Sequence, residues 1–293
     1  METIFGIPTV ALAGQFVLGL VNGCFYAILS LGLAVIFGLL NVVNFAHGAM
    51  YMLGAYVAYL LLNVAGVSFW YSLLIAPLLI GALGVVLERI FLQWLYKLDH
   101  IYGLLATFGI ATIIEGLMRA QFGVSGQRFA VPEALTGATD LVFMMIPTYR
   151  LFVVGASLTV CLAVWVLIEK TRIGATLRAG TENPKLVAAF GINVPRMVMV
   201  TFGAGVGLAA FAGVLAAPLV QINPLIGSSL TITVFAVVVI GGMGSIGGSI
   251  VTGLALGIVE GMTKVFYPEA AATVVFLVMV LVLLARPAGL FGK

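Results

Sequence analysis

A chain of 293 residues that is 63% hydrophobic and only 8% charged cannot cover a water-facing surface, since an ordinary soluble domain is about one-quarter charged. Soluble enzymes, nucleic-acid binders and disordered proteins are excluded on that ground. The net charge of +3 is too small to imply a polyanionic partner and fits a few basic loops on one side of a membrane.

Up to Glu88 the only charges are Glu2 and Glu88 itself, and the first basic residue is Arg89. A secretory signal needs a basic n-region, so the N-terminus reads as uncleaved. Apolar runs of roughly the 20 residues that cross a bilayer occupy 10–39, 46–64, 69–92, 101–122, 151–168 and 197–220. A long run at 230–265 and a last one at 270–285 follow. These runs are apolar on every face, which argues against the alternating strands of a β-barrel. Run 10–39 is long for one crossing. Run 230–265 is interrupted by Gly241, Gly242, Gly244, Gly247 and Gly248, a pattern that marks broken helices lining a transport path. The expectation is an all-α polytopic integral membrane protein, a single domain over 1–293 with about eight transmembrane helices, some of them broken.

Two loops carry information. Residues 122–150 balance Arg128 and Arg150 against Glu133 and Asp140, with Pro132 and Pro147 between. Residues 169–196 hold Lys170, Arg172, Arg178, Lys185 and Arg196 against Glu169 and Glu182. Short loops rich in Lys and Arg stay cytoplasmic. That places 169–196 inside, 122–150 outside, and the C-terminus with Arg286 and Lys293 inside. The side of the N-terminus stays open.

Within the second loop, Asn183 followed by Pro184 is a helix cap with proline at the first helical position. Gly191 is a fitting C-terminal stop. The segment between is a short amphipathic helix with Leu186, Ala189 and Phe190 on its apolar part. Such a helix lies on the membrane, docks into a groove of a soluble partner, or serves as a solvated connector.

Other motifs are weaker. Gly242-Met243-Gly244-Ser245-Ile246-Gly247 matches a dinucleotide fingerprint, but its flanks are membrane-embedded rather than a soluble βαβ unit. Gly123-Val124-Ser125-Gly126 resembles the serine motif of rhomboid proteases. The only histidines, His47 and His100, both precede it, so no base follows in a later span. Cys24 and Cys161 sit in apolar runs and form no metal or disulfide set. Glu115 and Arg119 are four apart, as are Glu260 and Lys264, so each pair shares a helix face and can neutralise itself within a span. Such pairs are read as structural. Asn41, Asn44 and His47 cluster after the first run. Lipid cannot satisfy their polar groups, so they face other helices or a wet translocation path.

Three segments together resemble the permease subunits of ABC-type importers, specifically the branched-chain amino acid (LivHM) family and its shorter, LivH-type member. They are Asn44-Phe-Ala-His47-Gly-Ala-Met50-Tyr-Met-Leu-Gly54-Ala-Tyr56, then Arg178-Ala followed by Ala188-Ala-Phe-Gly191-Ile-Asn-Val194, and Ile222-Asn223-Pro224-Leu-Ile-Gly227 through Gly241-Gly-Met-Gly244-Ser-Ile-Gly247. The resemblance implies the ABC importer permease fold in a plasma (inner) membrane. It implies a second homologous permease (LivM-type, or a homodimer), two cytoplasmic ATPase subunits and an extracytoplasmic solute-binding protein. It gives the ATPase-docking role to Glu182, Asn183, Pro184, Lys185, Ala188 and Gly191, and adds Asn223 to Asn41, Asn44 and His47 as path candidates. ATP and Mg would sit on the partner subunits, with no cofactor or metal in this chain. Consistent with that, the sequence has no P-loop, so any hydrolysis lies elsewhere.

Two departures stand out. Ala49 occupies a position where the family commonly has glutamate, and Thr233 one where it commonly has lysine. Opposite embedded charges lost together fit either a vanished pair or a solute that is not a zwitterion, since relatives of this fold import urea, amides and other small solutes. The alternatives are a secondary transporter or channel, with Glu115 and Glu260 as the only candidate ion-coupling carboxylates, and an intramembrane enzyme, for which no nucleophile and base converge.

Overall fold

The computed structural model describes residues 3–4, 7–40, 44–96, 98–140 and 144–292. A small hairpin, β1 (Thr3–Ile4) and β2 (Ile7–Pro8), precedes α1 (Thr9–Leu40), α2 (His47–Asn63) and α3 (Phe69–Leu87). One π-helical turn at Glu88–Leu92 leads through α4 (Gln93–Leu95) to α5 (His100–Phe122). A second hairpin, β3 (Ala138–Asp140) and β4 (Met145–Pro147), pairs Thr139 with Ile146. Then come α6 (Thr148–Lys170), α7 (Arg172–Glu182), α8 (Pro184–Ala189), α9 (Val194–Ala216), α10 (Ile226–Gly241), α11 (Ile246–Phe266) and α12 (Ala271–Ala285).

Helix dominates because a bilayer leaves no water to satisfy peptide groups. Among the described residues, seven helices are long and apolar enough to span, in keeping with the sequence. Run 10–39 is one helix, the 32-residue α1. Run 46–64 becomes the 17-residue α2, about 25 Å long and so short of a hydrocarbon core of about 30 Å. Its first half is enclosed by protein rather than lipid. Run 230–265 does break. Gly242 (φ +97°) and Gly244 (φ +87°) turn the chain between α10 and α11, backbone values that cost glycine little. Ser245 then caps α11, its hydroxyl accepting from the Gly248 N–H at 3.1 Å. The break would leave orphan carbonyls at the end of α10. The C-terminal tail supplies donors: the Leu290 N–H reaches the Ile240 carbonyl at 2.8 Å and the Phe291 N–H reaches Gly241 at 3.2 Å.

The chain forms two compact units. One comprises Leu31–Ala130 and Leu162–Ile232, with α9 packed along α2 and α3. Small residues set those contacts. A Cβ on Gly54 would collide with the backbone of Ala210, and one on Gly213 with the backbone of Tyr51. Gly81 and Gly203 face each other across α3 and α9 in the same way.

The other unit comprises Met1–Ser30, Val131–Cys161 and Thr233–Lys293. Here the first part of α1 lies against α11. A Cβ on Gly23 would stand 2.8 Å from the Leu254 carbonyl oxygen, and one on Gly253 2.6 Å from the Ala27 nitrogen. The same seam carries the expected Glu260–Lys264 pair, with Nζ to Oε1 at 2.7 Å. The Tyr26 hydroxyl donates to the other oxygen, Oε2, at 2.6 Å. Glu260 is only 8% exposed, so both partners are needed to keep the carboxylate in place.

Gly54→Val should lower stability by about 1–3 kcal/mol through overpacking. Gly109→Ala, where a Cβ meets open space, should be neutral or stabilising by about 0.5–1 kcal/mol. Thermal unfolding in detergent compares them. By the same measurement, Tyr26→Phe should cost about 1.5–3 kcal/mol for a lost bond to a charged group. The exposed Tyr267→Phe should change stability by no more than about 0.5 kcal/mol.

Candidate coupling element and translocation-path residues

The basic loop 169–196 is more ordered than its sequence suggests. It is a helix pair, α7 and α8, rather than one short helix in a connector. In α7 the buried residues Gly174, Leu177 and Gly180 recur every third position and form one face. A Cβ at Gly174 would strike the Ile168 carbonyl, and Gly180 rests on the Met197 side chain. Arg178 ties α7 to the end of α6 by donating to the Ile168 carbonyl. Its ion pair with Glu169, at 3.5 Å and half exposed, adds little. These two glycines read as loop residues in the sequence, yet they are contact points. The recurring Gly-Leu-Gly spacing was the available signal.

Asn183 ends α7 and caps α8, its side-chain oxygen accepting from the Leu186 N–H at 3.0 Å. Pro184 is the first residue of α8. Val187, 5% exposed, anchors α8 to the protein, while Leu186 (55%) and Phe190 (77%) point away. They are four apart, so the two apolar side chains stand together on the outer surface. Glu182, Lys185 and Ala188 are exposed as well. Gly191 has φ +82° and no neighbour near a Cβ, so only its backbone conformation demands glycine. Two residues on, the Asn193 side chain accepts from the Arg196 N–H at 3.0 Å and starts α9.

The path candidates are placed differently. Asn44 and His47 are each 2% exposed. The Asn44 side-chain oxygen accepts from the Ala46 N–H at 3.0 Å, forming the turn that opens α2. The His47 ring lies against α1, where a Cβ on Gly32 would be 3.1 Å from Cε1. Both belong to the enclosed packing at the start of α2. Asn223 is half-buried and organises the turn into α10, accepting from the Leu225 N–H at 2.9 Å. Among the described residues, the side-chain hydrogen bonds of Asn223 run only to Gln221 and Leu225. Asn41 lies outside the described residues. Ala49 is buried in α2 and Thr233 is half-buried in α10.

One expected pair is absent. Among the described residues, Glu115 and Arg119 form no ion pair. Shared helix spacing permits the contact, but α5 is little buried and its outer face leaves Arg119 exposed. Ser125 lies in a loop, and of the 242–247 glycines Gly242 and Gly244 form the α10–α11 turn while Gly247 lies in the first turn of α11. Cys24 and Cys161 are buried and unpaired.

Nothing in the sequence pattern indicates that the loop 122–150 joins the α9–α10 connection. Gln127 and Ile222 form a two-way backbone bridge, at 2.8 and 2.9 Å. The Tyr59 hydroxyl donates to the Gln127 side-chain oxygen at 3.2 Å.

The family model for the permease component of the branched-chain amino acid transport system matches residues 15–284. LivH of Salmonella typhimurium, a high-affinity branched-chain amino acid transport permease, is 30% identical over 94% of both chains. BraD of Pseudomonas aeruginosa, described in the same terms, is 30% identical over 95% of both. LivM of Escherichia coli, also a permease of such a system, is 28% identical over 90% of this chain and 67% of its own length. With its seven long apolar helices and a match over almost its whole length, this chain belongs to the branched-chain amino acid transport permease family and is of the LivH type.

Proposed function

We propose that the chain is one of two permease subunits of an ATP-driven importer in the inner membrane, and that it forms part of the path for branched-chain amino acids. The substrate follows from the relatives, whose names specify these solutes. The second subunit would be a LivM-type permease or another copy of this chain. Two cytoplasmic ATPase subunits would bind and hydrolyse ATP with Mg, and an extracytoplasmic binding protein would deliver the solute. The permease itself performs no chemistry. It couples motion to an opening.

The observation that carries this reading is α8. A six-residue helix is too short to be stable alone. It is held by a side-chain cap, a proline and a single buried valine. It nevertheless presents Leu186 and Phe190 to the outside, an arrangement that suits insertion into a groove on a partner. Lys185, Arg172 and Arg178 nearby favour the cytoplasmic side.

Cysteines introduced at Lys185 and Glu133, both exposed, on a background lacking Cys24 and Cys161, test the orientation. An impermeant thiol reagent added to intact cells should label position 133 and spare 185. Labelling of both would refute the assignment.

Phe190→Asp should weaken retention of the ATPase during purification by at least about tenfold if Phe190 is a buried anchor of that contact. Gly191→Val should strain the helix stop by about 1–2 kcal/mol and reduce solute uptake more than ATPase activity. Ala188→Trp should act like Phe190→Asp. Unchanged ATPase retention and uptake in all three variants would remove the docking role from α8.

A further inference from the structure

Where α3 widens into the π-helical turn, it runs beside the start of α9. Between them is an open cavity of about 250 Å³, lined by Glu88, Arg89, Gln93, Asn193, Arg196 and Met199. The coupling role assigned to α8 does not use it.

The charges in the lining are unequal. Glu88 is 3% exposed, and its Oε1 already accepts from the Tyr96 hydroxyl at 3.1 Å. Arg89 and Arg196 are exposed, and among the described residues neither guanidinium has a carboxylate within ion-pair distance. The Gln93 amide is engaged with the Arg89 carbonyl. The Asn193 oxygen is engaged with the first turn of α9. The 23-residue α9 also directs the positive end of its dipole here, although Pro195 has no N–H and the Arg196 N–H is already taken by Asn193. Two guanidinia and the positive end of α9 outweigh one carboxylate, which already accepts from Tyr96 and is partly offset by Arg89. The cavity therefore favours an anion, and two guanidinia lining one cavity favour an anion with several oxygens, such as phosphate.

Its depth indicates where that phosphate comes from. Arg89 lies near the end of the span Phe69–Leu95, and Arg196 near the start of the span Val194–Ala216. Both therefore sit where a helix leaves the hydrocarbon, at the level of lipid headgroups. Ile90, Phe91 and Trp94, on the same turns as Arg89, are exposed. They offer an apolar surface for acyl chains, with a tryptophan at the interface. A free phosphate ion or a soluble protein would leave that surface unused.

We propose that this cavity is a binding site for the phosphate of an anionic phospholipid, held by Arg89 and Arg196 with the acyl chains against Ile90, Phe91 and Trp94. Basic pockets between spanning helices bind such headgroups. The occupant would fix the π-helical turn to the start of α9.

The test uses the full purified chain in detergent, titrated with phosphatidylglycerol, phosphatidylcholine or inorganic phosphate. Binding is read by native mass spectrometry and by thermal shift. Phosphatidylglycerol should bind preferentially and raise the melting temperature. Arg89→Gln and Arg196→Gln should each weaken it by about fivefold, from roughly one basic side chain's attraction to an anionic surface. Arg128→Gln, on the loop 122–150, should not. Melting temperatures without added lipid should match the wild type, showing that the variants fold. Equal binding of phosphatidylglycerol to the wild type and both variants would overturn the proposal, as would equal binding of phosphatidylcholine. A full effect from inorganic phosphate alone would assign the cavity to a free ion. Loss of ATPase retention in the variants with lipid binding intact would assign it to a protein partner. Either result overturns the lipid site.

Discussion

Backbone-to-backbone contact through glycine is what this protein rests on. Lipid chains are as apolar as leucine, so the hydrophobic effect does not press one helix onto another inside a bilayer. Close approach must supply the attraction through dispersion and weak polar contacts. The chain has 36 glycines, and those in the spans cluster where helices meet. Gly54 abuts Ala210 and Gly213 abuts Tyr51 in one unit, while Gly23 abuts Leu254 and Gly253 abuts Ala27 in the other. Helix faces with no neighbour within the chain, as on α5 and α12, carry large exposed residues such as Phe108, Ile113, Leu281 and Leu284 instead.

Tight helix contact also decides what happens to polar side chains. Glu260 is tolerated because Tyr26 and Lys264 both reach it. The Asn44 oxygen builds the turn into α2, while its buried amide nitrogen has no hydrogen-bond partner among the described residues. His47 fits because Gly32 leaves room for a ring. In each case the polar group stabilises a junction, and the neighbouring small residue makes the junction possible. Under the proposed role, this stiffness suits a lever. Motion received at α8 would pass through the short link at 190–193 into α9, the element against which α2 and α3 pack.

Local signals were legible in the sequence and tertiary ones were not. The α10–α11 break was readable because consecutive glycines are a local feature, and Gly242 and Gly244 do take positive φ. The ends of α8 were readable because a cap, a proline and a stop glycine act within one turn of helix. The helix α7 was missed because Gly174 and Gly180 look like breakers until Ile168 and Met197 are placed against them. The Glu115–Arg119 pair failed because spacing brings two side chains to one face without requiring them to meet. Likewise, lipid's inability to satisfy Asn44 and His47 showed that they must find protein or water, but not which. The burial of Glu88 and the bridge between Gln127 and Ile222 depend on residues far away in the chain, and no pattern near either announces them.

The most direct measurement is leucine accumulation in proteoliposomes containing this chain with its partner permease and ATPase subunits, with binding protein on the side of the 122–150 loop and ATP on the side of α8. Accumulation against a gradient that requires ATP and collapses when the ATPase is omitted is the expected result. Accumulation at the same rate by this chain without the ATPase, driven by an ion gradient, would contradict it and make the protein a secondary transporter.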